Sequence, residues 1–234
     1  MLDLLLKVLG YTLIPVVAVL IGAFITAIRP PSPAVRSFVQ HFAAGVVFAA
    51  AAGEILPDLV HEKSLPAVII GGAIGVAAML SLKYLGEKAE SSNSLTTTIA
   101  IDVLIDGLLI GVGFAAEAKA GILLTIALTI ELLFLSLSIS ASLSQANASW
   151  QKVMRTTLGI ALLLPFGAVI GVTLLSHLPA VILAGFLAFG LIALLYLVTE
   201  ELLVEAHEIP DTPLTTGVFF GGFLLLIVIE ELLR

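Results

Sequence analysis

The chain has 234 residues, of which 60% are hydrophobic and only 12% charged, with a formal net charge of −7. A soluble domain carries about a quarter charged residues, so this composition, with a mean hydropathy of +1.20, excludes a water-covered globule. There is no basic patch to hold nucleic acid, and with no cysteine in the chain, disulfides, thiolate metal sites and cysteine nucleophiles are excluded too.

A transmembrane helix needs about 20 mostly apolar residues. Eight such runs follow one another in a single membrane domain over 1–234: about 4–28, 34–60, 66–86, 95–116, 119–145, 153–177, 179–207 and 213–233. The first reads as a span and not as a cleaved signal peptide, because it is long and lacks a convincing cleavage site. Breakers divide the runs. "RPPSP" (29–33) ends the first, "HEKSLP" (61–66) the second, and "GEKAESSNS" (86–94), the most polar stretch, the third. "EAK" (117–119), "SQANASWQK" (144–152), "SHLP" (176–179) and "HEIPDTP" (207–213) make the other breaks. The seventh run is long enough for its last turns to stand out of the bilayer. The expected class is therefore an all-α polytopic membrane protein with eight transmembrane helices, whose partner is the lipid bilayer.

Lysine and arginine bias sets orientation. With the N-terminus outside, inner loops hold Arg29, Arg36, Lys83, Lys88, Lys152 and Arg155; the outer side holds Lys7, Lys63, Lys119 and Arg234. Six against four favours both termini outside. The second run ends "GEILPDLVHE" (53–62) and the seventh ends "EELLVEAHE" (200–208). Glu54 aligned with Glu201 sets "EILPD" over "ELLVE". Those two helices would run in opposite directions, as in an inverted repeat.

The fourth run contains "IDVLIDGLLIGVG" (101–113). Asp102 and Asp106 are one helical turn apart and point the same way. Insertion scales put an aspartate near a helix centre at about +2.5 to +3.5 kcal/mol, and two adjacent carboxylates repel. A bound cation removes both penalties; a water-wetted position near the helix end is the alternative. Glu131, in "IALTIELLFLSLSIS", is the one charged residue between Lys119 and Lys152. It reads either as a cation ligand or as a protonated acid bonded to a neighbouring helix. Gly107 with Gly111, and Ser136 with Ser140, make small faces that let helices approach closely. They are expected to join helices four and five and so bring Asp106 to Glu131. Three carboxylates in one slot make a hard-oxygen cation site.

Glu54 with Asp58, and Glu201 with Glu205, share faces at helix ends. With His41 at the start of the second run and His207 at the end of the seventh, they read as interfacial charges or as the lining of a cation path, with secondary metal contacts. His61 and His177 look like loop residues without a role, and Trp150 and Tyr196 suit interface anchors. No G-x-S-x-G, H-E-x-x-H or P-loop is present, so no enzyme is expected.

On these residues the chain resembles the ZIP (Zrt/Irt-like) family of divalent metal transporters. The likeness runs over nearly the whole chain, including "HFAAGVVFAAAAGEILPDLV" in helix two and "YLVTEELLVEAHE" in helix seven. The family's helices four and five carry motifs like H-N-x-P-E-G. Here "DVLIDG" (102–107) and "ALTIEL" (127–132) lie over them. Asp102 then takes the histidine's place, and Asp106 and Glu131 those of the two acids. Val103 replaces the asparagine, Ala127 and Leu128 a polar pair, and Ile105 and Ile130 the prolines that kink those helices. The resemblance implies an inverted repeat of helices 1–3 and 6–8 around helices 4 and 5, a homodimer, and import of a divalent metal into the cytoplasm across the cell (inner) membrane. Loss of the nitrogen ligands points to one metal held by oxygen alone, moving preference from zinc toward Mn²⁺, Fe²⁺, Mg²⁺ or Ca²⁺, though carboxylates also take zinc. Two further readings stay open: a non-transporting metal sensor or regulatory subunit on a degenerate carrier scaffold, and a proton- or sodium-coupled carrier of another solute.

Overall fold

In lipid every backbone N–H and C=O must find its partner inside the segment, so a spanning run of this chain folds as helix. The computed structural model describes residues 2–61, 64–87, 92–145 and 149–233. Helices and short turns account for them, and no strand occurs among the described residues. Among the described residues, eight helices are long and apolar enough to cross a membrane. They are α1 (Leu2–Ile28), α2 (Pro33–Val60), α3 (Leu65–Gly86), α4 (Ser92–Ala116), α5 (Ala118–Gln145), α6 (Trp150–Thr173), α7 (Ala180–Ala206) and α8 (Pro213–Leu232). The polar stretches 86–94 and 144–152 lie partly outside the described residues, as do Lys63, Lys88 and Arg234 of the charge tally.

Polar residues at the breaks start the next helix. Ser32 caps α2, accepting from the Val35 amide at 3.4 Å, and Pro33 fills the first turn, where its missing N–H costs nothing. Ser149 caps α6 through the Lys152 amide. At α8, Thr212 and Thr215 exchange hydrogen bonds in a reciprocal cap behind Pro213.

Three spans depart from plain α-helix. In α2, Ala51–Ile55 is π-helical, the Leu56 amide reaching back to the Ala51 carbonyl. Pro57 follows; it has no N–H for the Gly53 carbonyl and its ring crowds that oxygen, which favours a wider turn just ahead of it. In α7, Leu197–Leu202 is π-helical in the same way, with the Leu203 amide on Val198. The expected run 153–177 is not one helix. It is Trp150–Ala161 and Leu163–Thr173, meeting at Leu162, then a 3-10 turn at Leu175–His177. Pro165 accounts for the break, because it cannot bond the Ala161 carbonyl.

Helices α2, α4 and α5 are the most enclosed, and α3 and α8 show the most surface, as peripheral helices would to lipid. The main pairings are α1 with α5, α4 with α6, α2 with α8 and α3 with α7. Small residues make the contacts. Gly107 and Gly111 of α4 meet Gly167 and Gly171 of α6, so closely that a Cβ at any of the four would strike the opposite backbone. Gly45 of α2 and Gly222 of α8 cross in the same manner, against Phe219 and Phe42 backbone. This changes the expected packing near the site. The small face of α4 turns to α6, and that of α5 turns to α1, where Ser136 sits on Gly22. Glycine against glycine gives the closest backbone approach, while the seam between α4 and α5 must leave room for carboxylates. Those two helices meet closely at Gly113 and Gly121, beside the turn at Glu117. Ser140 is buried on α5.

Candidate metal centre

Register brings three carboxylates together. Helices α4 and α5 form an antiparallel hairpin about Glu117. Asp106 and Asp102 stand 11 and 15 residues before that turn, and Glu131 stands 14 after it. At 1.5 Å per residue, Glu131 is level with the interval between the two aspartates. Ile105 and Ile130 lie within uninterrupted α-helix, so no break disturbs the register. Each of Asp102, Asp106 and Glu131 offers a carboxylate oxygen, and these oxygens all lie within 4.8 Å of one another.

Two of the three carboxylates are buried, Asp102 is partly so, and the described ion pairs leave all three uncompensated. Asp106 is 2% exposed and Glu131 0%. Asp106 Oδ2 and both oxygens of Glu131 have no hydrogen-bond partner among the described residues. No lysine or arginine pairs with any of the three among the described ion pairs. Buried charge of one sign is tolerated only when something neutralises it. A cation with hard-oxygen preference satisfies the orphan oxygens and the mutual repulsion together.

The two ends of the bundle differ. Toward the end that carries the 207–212 loop, Glu131 lines a cleft with Gln40, Phe134, Glu201 and Glu205. Gln40 donates from Nε2 to the Glu205 carboxylate. Ion pairs rim this end: Lys83 Nζ to Glu200 at 2.6 Å and Arg36 to Glu208 at 3.1 Å. His41 and His207 also meet there, around Asp211.

At the opposite end, Glu54 and Asp58 line a separate cleft whose floor is Leu109 and Leu124. Leu109 is about one turn beyond Asp106 and Leu124 about two beyond Glu131, and both are almost fully buried. Apolar side chains thus stand between this cleft and the three carboxylates. Lys119 Nζ lies 3.0 Å from Glu230 Oε1 and 3.9 Å from Glu54 Oε1, joining α5, α8 and α2.

The expected site residues are therefore sorted by the fold. Asp102, Asp106 and Glu131 converge; Glu201 and Glu205 share a cleft with Glu131; Glu54 and Asp58 do not reach it. Four polar residues at these places, Gln40, Lys119, Asp211 and Glu230, were missed in the sequence. Gln40 adjoins His41, and Asp211 is one turn from His207, so both sat beside residues already singled out. Nothing local marks Lys119 and Glu230 as partners. No protein-family model matches the chain, and a search of curated proteins finds no match.

Proposed function

We propose that the chain is a divalent metal cation transporter that seats its ion on Asp102, Asp106 and Glu131 near mid-membrane and moves it by alternating access. The observation that carries this is the convergence of three carboxylates with orphaned, buried oxygens in a membrane helix pair. Ionisable groups at such depth mark ion pathways, and Glu201 and Glu205 extend the acidic lining toward one end. An all-oxygen seat suits Mn²⁺, Fe²⁺, Mg²⁺ or Ca²⁺, and accepts zinc. As the ZIP resemblance implies, the direction is import across the cell (inner) membrane, by a homodimer with both termini outside.

We further read the bundle as an inverted repeat, on the strength of its helix pairings. Exchanging helices 1–3 for 6–8, and 4 for 5, turns the α1–α5 pairing into α6–α4. It also turns α2–α8 into α7–α3. These are the four main pairings of the bundle. The π-helical turns fall on the exchanged helices α2 and α7, one carrying Glu54 and the other Glu201. Carriers with inverted repeats alternate by rocking one bundle against another around a fixed site. An arrangement with an acidic cleft on one side of the site and leucines on the other is what one end-state of such a cycle requires.

Uptake of Mn²⁺ and Zn²⁺ into proteoliposomes tests the assignment. Asp106→Ala and Glu131→Ala should each lower uptake at least tenfold; uptake equal to that of the unsubstituted protein overturns the reading. Metal binding without flux in the unsubstituted protein would move the chain to the sensor class.

A further inference from the structure

We infer that His41, His207 and Asp211 form a second metal site at the mouth of the bundle, one that ligates transition-metal cations through nitrogen. The cluster draws on two spans and the loop that follows one of them. His41 lies two turns into α2 and is buried, its side chain 3% exposed. His207 closes α7, and Asp211 sits one residue before the cap of α8. His207 Nε2 is 3.0 Å from Asp211 Oδ2, and His41 Nε2 is 3.5 Å from Asp211 Oδ1. The two imidazole rings stand edge to face with centroids 5.1 Å apart. One ligand atom from each residue lies within 4.8 Å of the other two.

The orientation of His41 is the decisive feature. Its Nδ1 is 2.8 Å from the Ser37 carbonyl oxygen. A carbonyl only accepts, so Nδ1 carries the proton and donates it. In the neutral ring Nε2 is then a lone pair, and it faces a carboxylate oxygen. Two acceptors at 3.5 Å repel unless a proton or a metal cation lies between them. An imidazole held through Nδ1–H by a backbone carbonyl, with Nε2 presented inward, is the arrangement of metal-binding histidines. Bonds of about 2.0–2.1 Å in a tetrahedral site place ligand atoms about 3.3 Å apart, close to the spacings present. Half-exposed His207 and Asp211 leave a fourth position open to water, which suits an ion that arrives and leaves. The loop holding Asp211 is short and contains Pro210, with Pro213 just beyond, so little order is lost when it closes on an ion.

Chemistry separates this site from the mid-membrane one. Nitrogen ligands admit Zn²⁺, Co²⁺, Fe²⁺ and Ni²⁺ and discriminate against Mg²⁺ and Ca²⁺. If the transport reading holds, on which this last step rests, an ion that uses both sites must accept oxygen at one and imidazole at the other. That narrows the cargo to first-row transition metals and zinc, and makes the mouth a transfer point.

Cobalt(II) titration of the untagged full chain in lipid–detergent micelles tests the site. Four-coordinate Co²⁺ has an intense visible band whose wavelength depends on its imidazole ligands, whereas a hydrated, six-coordinate ion has a weak one. The unsubstituted protein should show the band, Zn²⁺ should abolish it, and a hundredfold excess of Mg²⁺ should not. His41→Ala, and independently the exposed His207→Ala, should weaken Co²⁺ binding at this band at least tenfold. Asp106→Asn, which removes a mid-membrane ligand, should leave it in place. No band in the unsubstituted protein, or an unchanged band in His207→Ala, overturns the inference. Loss of the band in Asp106→Asn also overturns it, since the two sites would then be one. The band survives even if proteoliposome uptake fails, so failure of the transport reading is told apart from failure of this one.

Discussion

Glu131 has no exposed surface and, among the described residues, no hydrogen bond to either oxygen, and it lies within ligand-sharing distance of Asp102 and Asp106. In a chelator the trio is a destabilising feature, because each carboxylate raises the cost of the others. Glu131→Gln removes one repelling charge while keeping the shape. In a metal-free buffer this variant should unfold at a higher temperature than the unsubstituted protein, by a few degrees. Added Mn²⁺ should stabilise the unsubstituted protein strongly and the variant little. Stabilisation by ligand follows RT ln(1 + [L]/Kd), about 2.7 kcal/mol at a hundredfold excess over Kd, so thermal melts with and without Mn²⁺ read the contrast directly. Equal metal-induced shifts in both proteins would remove Glu131 from the site. These acids were legible in the sequence because a carboxylate inside an apolar run has so few innocent explanations. Asp211 and Lys119 were not, because charges at helix ends are ordinary. The partner that gives Lys119 meaning, Glu230, lies 111 residues away.

The eight spans were legible element by element, since apolar length alone decides what can cross a bilayer. Which helix meets which was not. Gly107 and Gly111 announce close approach on one face of α4, but a small face does not name its partner, and the partner is α6, not α5. The π-helical turns were also illegible, because they alter hydrogen bonding without altering hydrophobic pattern. The α4–α6 crossing runs through Gly107, next to Asp106, and it can be tested within one span. A leucine at Gly167 meets the Leu104 carbonyl and Gly107 of α4, whereas Gly159 has nothing within 4 Å. Overpacking commonly costs about 1–3 kcal/mol and more where backbone must part. Gly167→Leu should therefore reduce the yield of monodisperse protein and lower its melting temperature. Gly159→Leu, also on α6, should behave like the unsubstituted chain.

At the scale of the molecule the two ends are unequal: an acidic cleft reaches Glu131 from one, and leucines bar the way from the other. The barred end is also pinned, since Lys119 ties α5 to α8 and lies near Glu54 of α2. A tethered ammonium placed among carboxylates at that mouth offsets their repulsion and favours the closed arrangement. Remove it, and Glu54 and Glu230 lose the ammonium they share, which lets α2 and α8 part more easily. The absence of cysteine from the chain makes this measurable without background. In the unsubstituted background, Leu135→Cys in the open cleft should react rapidly with a small, membrane-impermeant thiol reagent, and Leu124→Cys should resist it. Adding Lys119→Ala should raise the labelling rate of Leu124→Cys several-fold and slow that of Leu135→Cys, because in alternating access opening one end closes the other. Lys119→Arg should restore the original pattern. Applied to sealed vesicles of known sidedness, the same reagent also reports which membrane face each end occupies. If Lys119→Ala leaves both rates unchanged, the ion-pair cluster is an interfacial ornament and the barrier rests on the leucines alone. If both cysteines accelerate together, the substitution has loosened the bundle without shifting it between two states.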